Sequence, residues 1–195
     1  MRKSPADRAS LTDTEVNIMT DTNRELWKKC VAFHGHECGG LAIGYQASLL
    51  ALELLKADPS KDEELVCITE NDACGVDAIQ ALLGCTLGKG NLLIQMRGKQ
   101  AFSFYNRENG LSCRLVLRPT PGKTREERQN WLIYGDCHEM FDVKPAQALP
   151  PEKARIFKSY PCAKCGETTS ENYLRLEGGE HVCLSCYSPY SRILD

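Results

Sequence analysis

The stretch GGLAIGYQASLLALELLKA, residues 39–57, decides the fold because it is apolar on nearly every side. A helix with apolar residues all round is buried, so the stretch predicts a central helix over about Leu41–Ala57. Gly40, Gly44 and Ser48 recur every four positions and form a stripe of small residues where another helix can approach closely. The apolarity of this helix and its small-residue stripe also lead us to expect a homodimer.

The segments after the central helix indicate a strand, a short helix, three strands and a last helix. Glycine-containing turns separate the three strands, so we expect an antiparallel meander. Elements in this order predict an α+β fold in which an antiparallel sheet packs with helices. The charge run of the last helix indicates a solvated face. The predicted elements are the strand 64–69, the helix within 70–84, the strands 91–96, 101–106 and 111–118, and the helix 123–135.

Composition predicts the domain boundaries. The polar residues 1–20 predict a flexible tail, and residues 21–145 contain the predicted core domain. VKPAQALPPEK carries three prolines, which is typical of a linker, and we place the linker at 146–158. Residues 159–195 are rich in cysteine and form a small C-terminal module.

Charge, hydropathy and cysteine content exclude several classes of protein. The chain has 195 residues, a formal net charge of −2 and 42% hydrophobic residues, which argues against nucleic acid as a partner. MRKSPADRAS carries no apolar run typical of a secretory signal, and no apolar segment is long enough to span a bilayer. We therefore expect a cytoplasmic protein whose eleven cysteines are metal ligands, nucleophiles or buried small residues.

Two C-x2-C pairs near the C-terminus predict a structural zinc. Cys162 and Cys165 are separated by seventeen residues from Cys183 and Cys186, a spacing typical of four thiolate ligands, in a treble clef or a ribbon. So short a segment cannot bury a stable core, and metal binding would supply its folding free energy. From Glu152 onward six Lys and Arg balance six Asp and Glu. A phosphate-binding face needs a positive excess, so protein contact or a stabilising cap is the favoured role.

A second group of soft ligands precedes the central helix. FHGHECGG, residues 33–40, places His34, His36 and Cys38 on alternate positions, which in an extended segment puts all three on one side. Cys38 also lies just before the helix N-terminus, where the dipole and unpaired N–H groups favour a thiolate. A polar loop whose histidines bind nothing is the alternative for this stretch alone.

A similar arrangement in residues 70–84 favours a shared metal site. Cys74 follows a predicted strand and opens a predicted helix. Imidazole and thiolate together favour zinc or iron over magnesium. We therefore predict a second metal in the core, held by His36, Cys38 and Cys74, with His34 as a fourth ligand or an acid–base group.

Further polar residues complete the predicted site. Asp72 or Asp77 would orient a histidine by contacting the ring nitrogen that does not bind the metal. Lys89, between two glycines, would hold an anionic substrate, although an ordinary turn is the alternative for that loop. The candidate catalytic residues are Cys38, His34, Lys89 and Asp72.

Three segments within about residues 23–145 stand out, namely HGHECGGLAIGYQA, ENDACGVDAIQALLGCTLGKGNL and GKQAFSFYNR. They resemble the FmdE-like proteins, a family named after a component of formylmethanofuran dehydrogenase. The resemblance implies an α+β core, an extra C-terminal zinc finger as in some members, and a metal-binding pocket. The pocket residues that it implies are His34, His36, Cys38 and Cys74.

The family motif H-G-H-x-C-P-G differs here at Gly39, which stands in place of proline and loosens the turn before the helix. The family's name links it to the molybdenum- or tungsten-dependent enzyme that reduces carbon dioxide onto methanofuran. The resemblance thus implies a subunit or accessory factor in a larger oxidoreductase complex of one-carbon metabolism and methanogenesis. A non-catalytic carrier of metal or cofactor, or a metal- or redox-responsive regulator, is the alternative. An enzyme needs a concave site with an open coordination position, whereas a carrier needs an exchangeable one.

The other cysteines lie mostly among apolar neighbours, and we interpret them as buried small residues. Cys137 is next to His138, but adjacent side chains point apart in most backbones, so this pair is interpreted as ordinary. The residues in this group are Cys30, Cys67, Cys85, Cys113 and Cys137.

Overall fold

The computed structural model describes residues 20–120, 122–146 and 150–192. Contacts divide the chain into two units, the first ending at Lys153 and the second beginning at Ala154. This boundary lies inside the segment 146–158 that the sequence predicts as a linker. The predicted N-terminal tail lies outside the described residues, apart from Thr20. Within the described residues, no helix is both long and apolar enough to cross a membrane.

Several of the described helices of the first unit begin at side chains that cap them. The described helices of this unit are α1 (Asp21–His34), α2 (Gly39–Leu55), α3 (Gly75–Leu83), α4 (Arg125–Tyr134) and α5 (Cys137–Met140). Thr20 caps α1 by accepting a hydrogen bond from the Asn23 N–H, and Thr124 with Glu127 forms a reciprocal capping box at α4. The central helix α2 is buried along most of its length, as its sequence predicts.

A five-stranded sheet packs with these helices. Its strands are β1 (Leu65–Thr69), β2 (Leu92–Ile94), β3 (Ala101–Asn106), β4 (Ser112–Leu117) and β5 (Phe141–Lys144). The order across the sheet is β2-β1-β3-β4-β5, and every pair is antiparallel except β1 with β2. The central strand β3 is buried along its whole length. The predicted α+β class with a mainly antiparallel sheet is confirmed.

Two strands differ from the sequence prediction. The segment 91–96 is not part of an antiparallel meander, because β2 pairs in parallel with β1 and places Leu92 opposite Cys67. Helix α3 returns the chain along β1 before β2 begins, and such a crossover produces parallel strands. Val143 and Lys144, assigned from sequence to the proline-rich segment, belong to the edge strand β5 and pair with β4.

Helix α3 packs directly against the small-residue stripe of α2. A Cβ atom at Gly44 would overlap the carbonyl group of Gly75, and one at Gly40 would lie 3.2 Å from the Cβ of Cys74. The close approach predicted from the stripe is therefore present, and it is made by the chain's own helix. The homodimer stays a prediction, and the stripe no longer supports it.

A buried ion pair joins the sheet to the loop after β1. Arg114 of β4 donates from Nε to Oε1 of Glu70 at 2.6 Å and from Nη2 to Oε2 at 3.0 Å. The two side chains are 8% and 9% exposed. The guanidinium holds the pKa of the Glu70 carboxyl below its ordinary value. Because Glu70 begins the segment that leads to α3, the pair anchors that segment to the sheet.

The second unit consists of two antiparallel hairpins. The first pairs β6 (Ser159–Pro161) with β7 (Thr168–Ser170), and the second pairs β8 (Leu174–Glu177) with β9 (Glu180–Cys183). A single turn of 3-10 helix, Glu171–Tyr173, joins them. The described buried core is small and comprises Cys162, Val182 and Cys183. A treble clef would add a helix after Cys186, and the described residues beyond it contain none.

Candidate metal centre

The end of α1 and the start of α2 position two of the predicted ligands. His34 is the last residue of α1, which ends because Gly35 adopts a left-handed conformation with a φ of 94°. Cys38 is the N-cap of α2, and its Sγ accepts a hydrogen bond from the Leu41 N–H at 3.2 Å. The sulfur takes the role that Ser or Asp often has at this position.

Three predicted ligands converge on one point. The ligand atoms of His34, His36 and Cys38 all lie within 4.8 Å of one another. The Sγ of Cys38 lies 3.8 Å from Nε2 of His34, and the two imidazole centroids are 4.5 Å apart. The Oδ2 of Asp77 lies 2.7 Å from the other ring nitrogen of His34, Nδ1. A carboxylate on Nδ1 fixes the ring's orientation and leaves Nε2 free to bind a metal.

These separations fit a mononuclear metal site. Zinc binds thiolate sulfur at about 2.3 Å and imidazole nitrogen at about 2.0 Å, so two such ligands of a tetrahedral ion lie roughly 3.6 Å apart. The 3.8 Å between Cys38 Sγ and His34 Nε2 is close to this value. Two imidazoles and one thiolate also form a donor set that suits zinc or iron.

Cys74 lies beside this group of three ligand atoms but is not one of them. It is the N-cap of α3, and its sulfur and that of Cys38 lie 3.5 and 3.8 Å from the position of a Cβ atom on Gly40. Burial, and then the Cys38 sulfur, raise the pKa of the Cys74 thiol. Asn71 holds the preceding loop, since its side chain donates to the Lys99 carbonyl at 2.8 Å. Cys74 is thus placed as an additional ligand or as a thiol next to the site.

The ligand group borders a cleft of about 720 Å³. This volume lies within the range of small-molecule sites. Part of the lining comes from the loop before α2 and from α2 itself, and part comes from α4. The lining residues are His36, Glu37, Cys38, Gly39, Gly40, Ile43, Cys74, Gln100, Lys123, Thr124, Arg125, Arg128, Gln129 and Leu132.

Three cations of this cleft were missed by sequence reasoning, which assigned the charge run of α4 to a solvated face. Lys123, Arg125 and Arg128 all line the cleft. The signal that could have found two of them is helical spacing, because residues three, four and seven apart share a face. Leu132, which is buried, marks that face, and Arg125 and Arg128 precede it by seven and four positions.

The structure does not bring Lys89 to the cleft. Its Nζ lies 3.4 Å from the main-chain oxygens of both Ser60 and Lys61. It also lies near Gly84, at the C-terminal end of α3. Cys74 is at the other end of that helix, and nine residues of α-helix span roughly 13 Å.

The predicted contact to a histidine comes from Asp77 rather than from Asp72. Asp77 lies in the first turn of α3 and contacts His34, as described above. Asp72 precedes the helix and is exposed. The difference arises because the helix directs Asp77 toward the end of α1.

Most of the remaining cysteines are buried, and burial raises the pKa of each of these thiols: Cys30, Cys67, Cys85 and Cys113. Cys137 is partly exposed, and its sulfur lies within 4.8 Å of ligand atoms of Asp136 and His138. Asp136 accepts a hydrogen bond from the His138 N–H, and Nε2 of His138 lies 3.1 Å from Oε2 of Glu53. The carboxylate and the imidazole therefore already have protein partners.

The four C-terminal cysteines form another cluster, with all sulfurs within 4.8 Å of one another. The Cys183 N–H donates to the Cys162 sulfur at 3.3 Å and helps to lower the pKa of Cys162 to about 6. The sulfurs of Cys183 and Cys165 raise the pKa of Cys186 to about 12. Because four thiolates this close repel one another, a cation is needed to hold them, and four sulfurs suit tetrahedral zinc.

Comparison with known families matches both units. Residues 33–160 match the family described as FmdE, molybdenum formylmethanofuran dehydrogenase operon. Residues 155–192 match the prokaryotic dksA/traR C4-type zinc finger. The predicted zinc finger is confirmed, and the four cysteines are its structural zinc site.

Two individual proteins are similar over most of the chain. A probable S-adenosyl-L-methionine-binding protein of Archaeoglobus fulgidus is 27% identical over 83% of this chain and 52% of its own. The chain thus spans about half the length of that curated relative. The crystal structure of a tungsten formylmethanofuran dehydrogenase FmdE-like protein from Syntrophus aciditrophicus is 28% identical. It covers 87% of this chain and 95% of its own, with a TM-score of 0.66.

Proposed function

The chain belongs to the FmdE family, as the match over residues 33–160 shows, and from this premise we propose that its core holds a metal that binds a small molecule. We further propose that it serves as a subunit or accessory factor of a molybdenum- or tungsten-type oxidoreductase of one-carbon metabolism. The observation that carries the proposal is the convergence of His34, His36 and Cys38 beside a cleft that two of them line.

The number of mutually close protein ligands supports an open site rather than a structural one. Structural zinc sites are closed by four protein ligands, whereas catalytic sites have three and keep one position for water or substrate. Here the mutually close group contains three residues, and His36 and Cys38 face the cleft. Zinc or iron bound there would supply a Lewis acid toward a carbonyl group or a water molecule.

The protein's own groups prepare this site before any ligand arrives. Asp77 holds the His34 ring at 2.7 Å, and the Leu41 N–H holds the Cys38 sulfur at 3.2 Å. The Cys74 thiol lines the same cleft and is placed either to add a ligand or to exchange a proton with a bound molecule. Fixed ligands of this kind retain a metal more tightly than ligands that must first be ordered.

The assignment to an oxidoreductase complex has a separate support. Both the family description and the name of the Syntrophus relative refer to formylmethanofuran dehydrogenase. A homodimer, a larger oxidoreductase complex and a cytoplasmic location are part of the proposal. Size-exclusion chromatography with light scattering tests the homodimer, since a mass near 21.8 kDa would correspond to a monomer.

A carrier of metal or cofactor is the second candidate, and exposure favours it. His36 is exposed and Cys38 is half-buried, so a bound ion could be transferred to a partner protein. The Archaeoglobus relative is named for S-adenosyl-L-methionine, which makes that compound one ligand to test in the cleft. Exchange of the core metal with a labelled ion separates the two candidates, because a carrier exchanges within minutes and a catalytic site retains its metal.

Metal content per chain, measured by mass spectrometry, tests the proposal directly. We expect about two metals in the unaltered protein and about one in Cys38→Ser, because only the core site loses a ligand. The matched control is Cys113→Ala, which removes a sulfur from β4 rather than from either cluster and should keep about two. Only one metal in the unaltered protein, with the same content in Cys38→Ser, would refute a core metal.

A further inference from the structure

The positively charged side chains at the start of α4 and just before it line the cleft, whereas the negatively charged ones do not. Lys123, Arg125 and Arg128 line the cleft, whereas the neighbouring Glu126 and Glu127 do not. Arg125 and Arg128 share one side of the helix because they are three positions apart. The cations therefore form a positive wall in the same cleft as the metal ligands.

This positive wall is only partly balanced by the protein itself, because Lys123 is near enough to Glu127 to help lower the pKa of that carboxyl. Within the described residues, no carboxylate lies within 4 Å of the charged nitrogens of Lys123, Arg125 or Arg128. Arg128 donates only from Nε, to the Thr120 hydroxyl at 3.0 Å, and Nζ of Lys123 lies 5.9 Å from the Trp131 ring centroid. The three cations thus keep most of their donors for a ligand.

Nearby negative groups have other partners. Glu37 is the one carboxylate among the cleft residues, and its Oε1 accepts a hydrogen bond from Nε1 of Trp27 at 3.2 Å. Glu127 accepts from the Thr124 N–H in the capping box of α4. Since the capping box already uses that helix end, the side-chain cations rather than the helix N-terminus would hold an anion.

The helix that carries Arg125 and Arg128 is anchored to α2 through its C-terminal half. Nε2 of Gln46 donates to the main-chain oxygens of Leu132 and Ile133, each at 3.1 Å. At the first residue of α2, a Cβ atom on Gly39 would lie 3.3 Å from the Leu132 side chain. Gly39 directly follows Cys38, so α4 packs beside the metal ligands.

We infer that this cleft binds a small organic anion, whose carboxylate or phosphate group is held by Lys123, Arg125 and Arg128 while its other end reaches His36 and Cys38. The inference rests on the proposed function for the position of the metal, but the anion-binding wall is made by the protein alone. Arginine suits this task because its planar guanidinium donates two parallel hydrogen bonds to an oxyanion. Both carboxylate and phosphate offer the required oxygen atoms.

Titration of the isotope-labelled full chain with inorganic phosphate, and separately with acetate, tests the inference by nuclear magnetic resonance. Ionic strength is held constant with sodium chloride, so that general screening does not change during the titration. The variant Arg125→Gln/Arg128→Gln should raise the dissociation constant of the bound probe roughly tenfold or more. The matched control, Lys28→Gln/Lys29→Gln, removes two exposed cations of α1 and should leave it unchanged.

The outcomes distinguish a phosphate ligand from a carboxylate ligand, and they distinguish the anion-binding inference from the metal proposal. Binding of phosphate alone identifies a phosphate ester as the ligand class, and binding of acetate alone identifies a carboxylate. The comparison between the unaltered protein and Arg125→Gln/Arg128→Gln does not depend on whether the core site holds a metal, so the inference survives a failure of the metal proposal. No binding of either probe would overturn the inference. So would equal binding by the unaltered protein and Arg125→Gln/Arg128→Gln.

Discussion

Gly44 of α2 and Gly75 of α3 meet backbone to backbone, because a Cβ atom at Gly44 would overlap the Gly75 carbonyl group. This contact brings the first residue of α3 against the second turn of α2. As a consequence Cys74, the residue before Gly75, lies against Gly40, two residues after Cys38. The packing of two glycines therefore determines how close the two N-cap cysteines of the cleft can be.

Gly44→Ala should destabilise the protein strongly. Overpacking in a core costs about 1–3 kcal/mol when side chains can move aside. Here the added methyl group meets main-chain atoms, so we expect a loss of at least about 3 kcal/mol in the free energy of unfolding. Urea denaturation measures it, with Gly88→Ala as control, since a Cβ at Gly88 has no atom within 4 Å. Equal stability of the two variants would contradict the packing described.

Asp77→Ala should weaken the binding of the core metal without emptying the zinc finger. Removing the carboxylate that holds a metal-binding histidine lowers metal affinity about 10- to 100-fold. Competition with a chromophoric chelator measures the affinity of each site. Asp72→Ala is the matched control, because Asp72 is an exposed carboxylate five positions earlier. The orienting role of Asp77 would be refuted if both variants kept the affinity of the unaltered protein.

Glu70→Gln should destabilise the protein at neutral pH, and the effect should fade in acid. The substitution leaves Arg114 buried without its partner charge, which costs about 3 kcal/mol or more. Because Arg114 lowers the pKa of Glu70 below the ordinary 4.5, the carboxylate's contribution is complete above pH 4.5. It disappears as the pH falls through the lowered pKa.

Urea denaturation between pH 3 and pH 7 checks this prediction. The difference in unfolding free energy between the unaltered protein and Glu70→Gln should be constant down to about pH 5 and then shrink. Glu108→Gln, which removes an exposed carboxylate, should show a difference within about 0.5 kcal/mol at every pH. A gap for Glu70→Gln that persists or grows in acid would show that the ion pair does not act through charge.

Local patterns were sufficient to predict several parts of the structure. The apolar run of α2 and its small-residue stripe depend on residues only a few positions apart, as do the two C-x2-C pairs. The positions of Cys38 and Cys74 at helix N-termini also follow from neighbouring strand and helix patterns. Each of these features is short-range, so one sequence contains all the information that determines it.

Features that depend on the path of the chain in space could not be predicted in the same way. The parallel pairing of β2 depends on where α3 returns the chain. Lys89 lies in a glycine-rich loop, but that loop follows the far end of α3 from Cys74. The cleft function of Arg125 and Arg128 depends on α4 packing beside α2, about 90 residues away in sequence. Helical spacing from Leu132 indicates the face that these arginines share, but it does not show that this face lies beside the metal ligands.

The C-terminal unit should unfold when its zinc is removed, while the core unit keeps its structure. Its described buried core is only Cys162, Val182 and Cys183, so little apolar burial remains without the metal and the ion supplies most of the folding free energy. Hydrogen exchange of Cys183→Ser should show loss of protection across residues 155–192 and unchanged protection in β1, β3 and β4. The control is Leu184→Ser, which alters an exposed residue next to the ligand and should leave both units protected. Retained protection of β8 and β9 in Cys183→Ser would show that these hairpins fold without the zinc.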